Sequence, residues 1–587
     1  MDVRLAGGDP AIDAVEAALS DARADLGTAV RPARVAPGRV GGADLAVAAG
    51  AVGDGTLPTA NENAREAGTP LVGIEVGGVG GHPVAGVEAS VAGFVPDAGC
   101  FECLRSRVAA NDLETNDDPS TRSAARLAGA ITGREALKLL AGQPSRLLSA
   151  TGEGGRVAGV IELPQAERRF LPVPGCACDP GEDRHLELAA RSVDLETALE
   201  RAELAVDERV GLVSGVGEVE SFPAPYYLAN VADTTGFSDA RAAEQAAGVD
   251  PDWNRAFMKA LGEGMERYAA GVYRTASFET GSPAAVDGVS PADFVRPDGT
   301  PEVDPDEPIP WAPATDLRDG SGTLLPAEAV QFPPPEKRYL APITTGLGLG
   351  SSTVEAVTSG LTEVIERDAT MIAWYSTFDP LALRVDDEGF EALARRARSE
   401  DLSVTALLVT VDVDVPVVTV AVHREGDWPR FAVGADADLD PTAAARDALA
   451  EALQNWMELR SMGPEEAAEE STAIGEYADF PEEARDLVDA GDPVPAGTVA
   501  EGGAEDLEGR EELDAIVDRV AEAGLAPYAA RVTTRDVAAA GFEAVRVRVP
   551  SAQPLFVDRP AFGDRAREVP ADLGFEPALD RRTHPYP

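Results

Sequence analysis

The chain has 587 residues, more than one ordinary hydrophobic core can organise, so we expect at least two domains. Its formal net charge is −52, and no basic patch remains that could contact phosphates, which argues against nucleic acid as a partner. No apolar stretch has the length of a membrane span, and the N-terminus lacks the pattern of a signal peptide. We therefore expect a cytoplasmic protein without a membrane partner.

Helical and extended patterns alternate in the first part of the chain, which is typical of a parallel α/β sheet. They predict a helix over 10–26, a strand over 44–52, a helix over 59–67 and a strand over 70–76. The glycine-rich run GGVGGHPV follows at 77–84. Its glycine spacing and its proline do not fit the loop that opens a helix in dinucleotide-binding folds, so we place no nucleotide there.

All four cysteines lie in two short clusters, Cys100 with Cys103 and Cys176 with Cys178. In a reducing compartment this arrangement favours a metal over disulfides. Four thiolates with no histidine nearby would form a closed, structural zinc site. Buried or redox-active thiols are the alternative. Between the two clusters, the run SAARLAGAITGREALKLLAG predicts a long helix of small residues.

The charged connector PGEDRHLE at 180–187 indicates a domain boundary, and a new helix pattern follows over 193–202. We therefore predict two domains, 1–182 and 186–587. In the second domain, alternating apolar and polar residues predict strands over 206–233 and a β-hairpin over 402–425. The acidic segment 469–514 has few aromatic residues and is expected to be a mobile insertion.

Two helix patterns each place two glutamates and an arginine on one face, at the spacing i, i+3 and i+4. The first is in MKALGEGMERYAAG, and the second follows the glycine-rich start of ITTGLGLGSSTVEAVTSGLTEVIERDATMIAWYS at 343–376. Their small and apolar neighbours predict buried carboxylates, which need cations. Oxygen ligands from two helices suit Mg²⁺, which leaves coordination positions for substrate phosphates. Exposed surface ion pairs are the alternative.

The segments KALGEGMERY, GLGLGSSTVEAVTSGLTEVIERDA and AARDALAEALQNWMELR resemble the three ATP-binding motifs of the YcaO superfamily. The resemblance covers 186–587, and in that family the matching glutamates ligate Mg ions that bridge the ATP phosphates. It implies Mg ligands at Glu263, Glu266, Glu363 and Glu366. It implies further ATP contacts at Lys259, Arg267, Ser351, Glu355, Arg367, Arg446, Glu451 and Gln454. For the third motif, a solvated helix face is the alternative.

The C-terminal sequence THPYP resembles the proline-rich tail of the same superfamily. In that family the tail reaches the active site, so the terminal carboxylate of Pro587, together with His584, is a candidate for the catalytic base. Alternate prolines also favour an extended, preorganised segment. A frayed C-terminus is the alternative interpretation.

The N-terminal helix ending in REALKLLAG, between the cysteine pairs, resembles the C-terminal half of the ThiF fold, the ubiquitin-activating-enzyme type. Many members of that fold hold a structural zinc through four cysteines, but the nucleotide loop of active members has no counterpart here. The expected fold class is therefore α/β and α+β. A degenerate ThiF-like α/β domain with a zinc site precedes a YcaO α+β domain with mixed sheets.

These resemblances imply an ATP-dependent cyclodehydratase that forms azolines from Cys, Ser or Thr of a ribosomally made peptide, as in thiazole/oxazole and bacteriocin biosynthesis. Thioamidation, an accessory role in ribosomal-protein modification, and a non-catalytic scaffold are the alternatives. The implied partners are the precursor peptide, a leader-binding protein or dehydrogenase, and a second copy in a homodimer. Acid enrichment with only three lysines also resembles the composition of halophile proteins.

Overall fold

The computed structural model describes residues 1–26, 29–95, 97–115, 121–150, 156–164, 166–181, 183–469, 473–500, 506–557 and 559–586. Within these ranges no helix has the length and apolar character needed to cross a membrane.

The N-terminal part of the chain forms one mixed sheet with helices packed on it. Its strands are β1 (Asp2–Gly7), β2 (Arg31–Arg34), β3 (Leu45–Ala51), β4 (Leu71–Val76), β5 (Ala89–Phe94), β6 (Leu148–Ala150), β7 (Arg156–Leu163) and β8 (Ala166–Phe170). Its helices are α1 (Ala11–Leu26), α2 (Thr56–Glu66), α3 (Phe101–Ala109) and α4 (Arg122–Leu140).

The strand order of this sheet is β2-β1-β3-β4-β5-β7-β6, with β8 beside β7. Strands β1 to β4 pair in parallel, as the alternating pattern predicts. From β5 onward the pairs are antiparallel, because the chain turns back after β4 without a crossover helix. The sheet is therefore mixed and not wholly parallel.

The glycine-rich run after β4 forms this reversal. The Gly81 amide donates to both carboxylate oxygens of Glu75, each at 3.0 Å. Gly80 and Gly81 have φ values of 59° and 82°, which glycine adopts at little cost. An amide that could have faced a phosphate is thus already bonded to a carboxylate of the same chain.

The described residues of the rest of the chain form three further sheets. Their strands are β9 (Val213–Glu220), β10 (Tyr226–Val231), β11 (Gln245–Val249), β12 (Glu279–Gly281), β13 (Ile309–Asp316), β14 (Gly322–Pro326), β15 (Leu347–Gly350), β16 (Leu381–Arg384), β17 (Ser403–Leu408), β18 (Val417–His423), β19 (Phe431–Ala437), β20 (Val494–Pro495), β21 (Tyr528–Arg531) and β22 (Glu543–Arg548). The orders are β11-β10-β9, β12-β13-β21-β22-β15 with β14 beside β13, and β19-β18-β17-β16-β20.

The helices of this part are α5 (Leu195–Ala202), α6 (Trp253–Gly271), α7 (Ala327–Val330), α8 (Thr353–Trp374), α9 (Glu388–Ser399), α10 (Pro441–Ala467), α11 (Ile474–Tyr477), α12 (Glu482–Val488), α13 (Arg510–Glu522), α14 (Arg535–Ala539) and α15 (Arg565–Asp572). The two ExxER patterns lie in α6 and α8, and the third motif lies in α10. The strands predicted over 206–233 and 402–425 form the antiparallel pairs β9–β10 and β17–β18.

The prediction of a mobile insertion over 469–514 is wrong for the described parts of that segment. Helices α11 and α12 form there, and the Tyr477 side chain is only 1% exposed. Its ring packs edge-on against Trp374, at 5.7 Å between ring centroids. Phe480 is also buried and stacks on Phe431, so a few buried residues within an acidic composition hold this element to the core.

A buried ion pair joins the N-terminal sheet to the remainder of the chain. Arg107 of α3 pairs with Asp536 of α14, and both side chains are fully buried. The Tyr268 hydroxyl of α6 donates to the same carboxylate at 2.6 Å, and Arg107 donates to the carbonyl of Pro172 at 3.0 Å. Because these contacts cross the predicted boundary, the two parts pack closely together. The division into domains 1–182 and 186–587 stays a prediction.

Candidate active site

Helices α6, α8 and α10 surround a cavity of about 1120 Å³, which we call the acidic cavity. Strands β11, β15 and β19 complete its wall. The lining includes eleven of the twelve residues proposed above for ATP and Mg: Lys259, Glu263, Glu266, Arg267, Ser351, Glu355, Glu363, Glu366, Arg367, Glu451 and Gln454. The twelfth, Arg446, is outside this lining among the described residues, and its guanidinium lies 3.7 Å from a carboxylate oxygen of Asp387.

The glycine-rich segment positions the start of α8 at the cavity. A Cβ on Gly348 would lie 2.1 Å from the carbonyl oxygen of Ala356, so only glycine lets β15 lie this close to the first turns of the helix. The Ser352 side chain caps α8 by accepting from the Glu355 amide at 3.2 Å. The Glu355 carboxylate in turn accepts from the Ser351 amide at 2.9 Å.

Two of the four glutamates are fixed by backbone amides. Glu263 accepts from the Ala247 amide at 2.8 Å and pairs with Arg267 one turn along α6. Glu363 accepts from the Gly346 amide at 2.9 Å. These bonds leave the second oxygen of each carboxylate to other partners.

The other two glutamates, Glu266 and Glu366, lie in surroundings that disfavour a charged carboxylate. Burial, followed by the carboxylates of Glu363 and Glu263, raises the pKa of Glu266 to about 8. Glu366 is 5% exposed, and burial raises its pKa well above the usual range. Its Oε1 has no hydrogen-bond partner, although Arg367 Nε lies 3.4 Å away. Carboxylates in such a site are stabilised by a cation.

Helix α10 adds a row of polar residues opposite these glutamates. Glu451 accepts from the Ala435 amide at 2.7 Å and lies 4.0 Å from Arg367. Burial opposes the charge of Arg367, but the carboxylates of Glu366 and Glu451 outweigh it, so the pKa of the guanidinium is raised. Gln454 donates to Glu458 at 3.0 Å. Arg367 therefore stays charged beside an acidic wall.

Lys259 connects two walls of the acidic cavity. Its Nζ lies 3.0 Å from both Asp250 and Asp447. Burial lowers the pKa of the ammonium, but these two carboxylates more than offset it. The lysine is therefore a fixed positive charge in the wall.

Sequence reasoning missed several acidic residues of the lining, namely Asp436, Asp447 and Glu458. Asp447 and Glu458 share a face of α10 with Glu451 and Gln454, at i, i+4, i+7 and i+11, so a helical-face count could have found them. Asp436 on β19 carried no such signal. Burial, then Asp447 and Glu366, raises its pKa well above the usual range.

The donor set of the acidic cavity fits Mg²⁺ in its chemistry, since carboxylate oxygens are the ligands that this ion prefers. Among the described residues, however, no three acidic side chains bring their oxygens within 4.8 Å of one another. The glutamates therefore do not form one closed cage. Their wider spacing suits ions that are shared with the phosphates of a substrate.

The four cysteines form a separate, compact cluster. Their Sγ atoms all lie within 4.8 Å of one another, with separations of 3.6 Å from Cys100 to Cys176 and 3.4 Å from Cys103 to Cys178. A tetrahedral zinc with Zn–S bonds of about 2.3 Å requires sulfur separations of about 3.8 Å. The cluster thus fits the size of a four-thiolate zinc site. The Val173 amide donates to Cys103 at 3.3 Å, and Arg535 donates to Cys178 at 3.2 Å.

The C-terminal segment is packed into an aromatic cluster. Tyr586 is 2% exposed and its hydroxyl lies 3.3 Å from Oγ1 of Thr419. His584 Nε2 lies 2.8 Å from the carbonyl oxygen of Phe556, and burial lowers its pKa to about 4. The imidazole is therefore neutral at physiological pH, and it is not part of the acidic-cavity lining. Pro587 lies outside the described residues.

A family model described as YcaO cyclodehydratase, ATP- and Mg²⁺-binding, matches residues 247–553, more than half of the chain. The chain belongs to the YcaO family. The matched range contains α6, α8 and α10, so the three helices that surround the acidic cavity lie within the YcaO region. This confirms the recognition made from the three motifs.

Comparison with known proteins shows that the similarity extends over the whole fold of this chain. An uncharacterised protein from Methanothermobacter thermautotrophicus is 29% identical over 343 residues, 55% of this chain and 85% of the relative. A structure described as a heterocyclase in complex with substrate and cofactor matches with a TM-score of 0.71 at 18% identity, over 100% of this chain and 84% of that one. The heterocyclase TruD matches with a TM-score of 0.65 at 18% identity, over 98% and 82%. The predicted α/β and α+β class with mixed sheets is confirmed, whereas the ThiF-like resemblance and the zinc site stay predictions.

Proposed function

We propose that this YcaO protein is an ATP- and Mg²⁺-dependent cyclodehydratase that converts Cys, Ser or Thr of a ribosomally made peptide into azolines. The observation that carries the proposal is the acidic cavity. Four glutamates from two helices, Glu263, Glu266, Glu363 and Glu366, line one space of about 1120 Å³ together with Arg267 and Arg367. This is a site for polyanionic phosphate together with divalent cations.

In the proposed reaction, the substrate side chain loses its proton and its sulfur or oxygen adds to the carbon of the preceding amide. The resulting oxyanion attacks the γ-phosphorus of ATP, and ADP leaves. The amide nitrogen then loses its proton, a C=N bond forms, and phosphate departs with the former carbonyl oxygen. The net change in the peptide is the loss of one water.

The chain's own residues would supply position and charge for these steps. Mg²⁺, when bound, neutralises the phosphate charge, and the four glutamates would hold it. Arg367, kept charged by Glu366 and Glu451, would orient phosphate oxygens. Lys259, fixed between Asp250 and Asp447, would add a second positive charge. His584, proposed above as part of the base, lies outside the lining of the acidic cavity.

The N-terminal part would serve to present the peptide. The four clustered cysteines would hold a structural zinc there, and the site would be closed because all four positions are thiolates. The Gly81 amide is already bonded to Glu75, which supports a binding role for this part without adenylation.

The test is mass spectrometry of the precursor peptide encoded beside the gene, incubated with this protein, ATP and Mg²⁺. Azoline formation removes one water per ring, whereas thioamidation exchanges oxygen for sulfur and raises the mass.

Glu366→Gln should slow ATP turnover on the order of 100-fold, because it removes a charged oxygen ligand. Glu391→Gln makes the same change on the exposed face of α9 and should leave turnover unchanged. Absence of ATP turnover in the unmodified protein would favour a scaffold.

A further inference from the structure

A second space of about 540 Å³ lies between the three-stranded sheet β11-β10-β9 and the C-terminal half of α10. We call it the α10 groove. Its apolar lining comprises Val219, Tyr226, Leu228, Met457 and Met462. Tyr226 and Leu228 are two positions apart on β10, so they point to the same face of the sheet. The volume is in the range of about 300–1,000 Å³ that is typical of ligand sites.

The α10 groove opens into the acidic cavity. Ala247, Arg267 and Glu458 line both spaces. Glu263, one of the proposed Mg ligands, pairs with Arg267 at this junction. A molecule lying along the groove therefore ends next to the wall where the phosphates of ATP would be held.

The charged groups around the groove have bonding partners within the chain. Arg460 pairs with Glu220 across the groove and lies 3.5 Å from Glu400. Glu458 accepts from Tyr226 at 2.9 Å and from Gln454 at 3.0 Å. The groove thus offers an apolar floor whose charged groups are already bonded within the chain and are acidic in excess, which suits an uncharged extended chain better than a polyphosphate.

The groove also contains Met462, which is partly exposed, whereas Met457 beside it is only 1% exposed and belongs to the core. Methionine side chains are unbranched and adapt to different partners, so surfaces that use them accept varied sequences. This property suits a substrate segment whose side chains differ from one modified position to the next.

We propose that the α10 groove binds the segment of the substrate peptide that flanks the reacting residue and guides it into the acidic cavity. The proposal rests on the proposed function, since a peptide must reach the ATP phosphates for the reaction to occur. Extended backbone would lie along the sheet, with small or apolar side chains over Leu228 and Met462, which are both partly exposed.

The first experiment places the photo-crosslinker p-benzoylphenylalanine at the position of Leu228 in the full-length chain. The control carries it at Leu127, which is 52% exposed on α4. The probe is a pool of synthetic heptapeptides with a central Cys, Ser or Thr, irradiated with and without a non-hydrolysable ATP analogue and Mg²⁺. We expect at least about tenfold more peptide adduct at position 228 than at 127, because the groove concentrates the probe.

Equal labelling at the two positions would overturn the proposal. Loss of the adduct on adding the ATP analogue would also overturn it, because the groove would then belong to the nucleotide. This experiment needs no turnover, so the groove is tested even if azoline formation is not found.

The second experiment fills the groove by Leu228→Trp, with Leu127→Trp as the matched control. We expect the KM for the precursor peptide to rise at least about tenfold while the KM for ATP stays unchanged, because only peptide contacts are removed. A rise in the KM for ATP, or no change in either constant, would refute the assignment. An unchanged melting temperature shows that the variant is folded.

Discussion

Replacing Glu75 by glutamine should stabilise the protein at mildly alkaline pH and have little effect in acid. Glu75 is 4% exposed on β4, and the Gly81 amide donates to both of its oxygens at 3.0 Å. Burial, reinforced by the charge of Asp54, raises the pKa of Glu75 from 4.5 to about 7. Glutamine has the same shape, keeps one oxygen for the amide and carries no charge.

The magnitude follows from the two pKa values. Between the unfolded value of 4.5 and the folded value of about 7, the folded protein binds more protons than the unfolded chain. Stability contributed by this group is therefore full below pH 4.5 and is lost as the pH rises to about 7. A gap of about 2.5 pH units corresponds to about 3 kcal/mol. The glutamine variant avoids this loss.

The assay is urea unfolding of the full chain in concentrated KCl over a range of pH, followed by circular dichroism. The difference in unfolding free energy between Glu75→Gln and the unmodified protein should be near zero at about pH 4 and about 3 kcal/mol at about pH 8. Glu62→Gln, an exposed position on α2, should show no such dependence. A difference that stays constant with pH would refute the reasoning.

Two further predictions concern the cysteine cluster and the C-terminus. Purified, reduced protein should contain about one zinc per chain. The Cys103→Ser variant should lose the metal and have a lower melting temperature. Native protein that contains no metal would contradict this prediction. Deleting Pro587 alone should preserve Mg-ATP binding but slow azoline formation, measured by mass spectrometry. The deletion variant must keep Tyr586, because removing this buried side chain would lower the free energy of unfolding by about 3–5 kcal/mol. Unchanged turnover would mean that the last residue has no part in the reaction.

The sequence predicts the site well where the signal is local. Glu363 and Glu366 share a helix face with Arg367 by spacing alone, and the small neighbours of α6 and α8 correctly indicate close packing. The meeting of these helices with α10 follows from the motif resemblance, since no local pattern brings together residues almost 200 positions apart, such as Glu263 and Glu451. Arg446 shows the limit of this method. It belongs to the same motif, but its position on α10 turns it toward Asp387.

Residues in strands and in the tail are harder to predict, because their partners come from distant elements. Asp436 lies among buried residues of β19, and no helical-face pattern marks it, yet it lines the acidic cavity. His584 stands next to the predicted catalytic end, yet Phe556 and the aromatic cluster bury it. In both cases burial by distant residues decides the chemistry, and local spacing carries no information about it.

The acidic side chains that line the cavity bear directly on its proposed chemistry. Burial raises the pKa of Glu266 to about 8, and it also raises the pKa values of Glu366 and Asp436 well above the usual range. With a pKa of about 8, Glu266 holds a proton at neutral pH in the absence of a cation, so binding of Mg²⁺ to this carboxylate would release that proton.

Three of the positive side chains in the wall already have partners: Arg267 pairs with Glu263, Arg367 lies beside Glu366 and Glu451, and Lys259 is bonded to Asp250 and Asp447. The acidic side chains of the lining outnumber the positive ones. The acidic cavity therefore has too little positive charge of its own. A cation that enters with a phosphate substrate would be bound by the excess carboxylates.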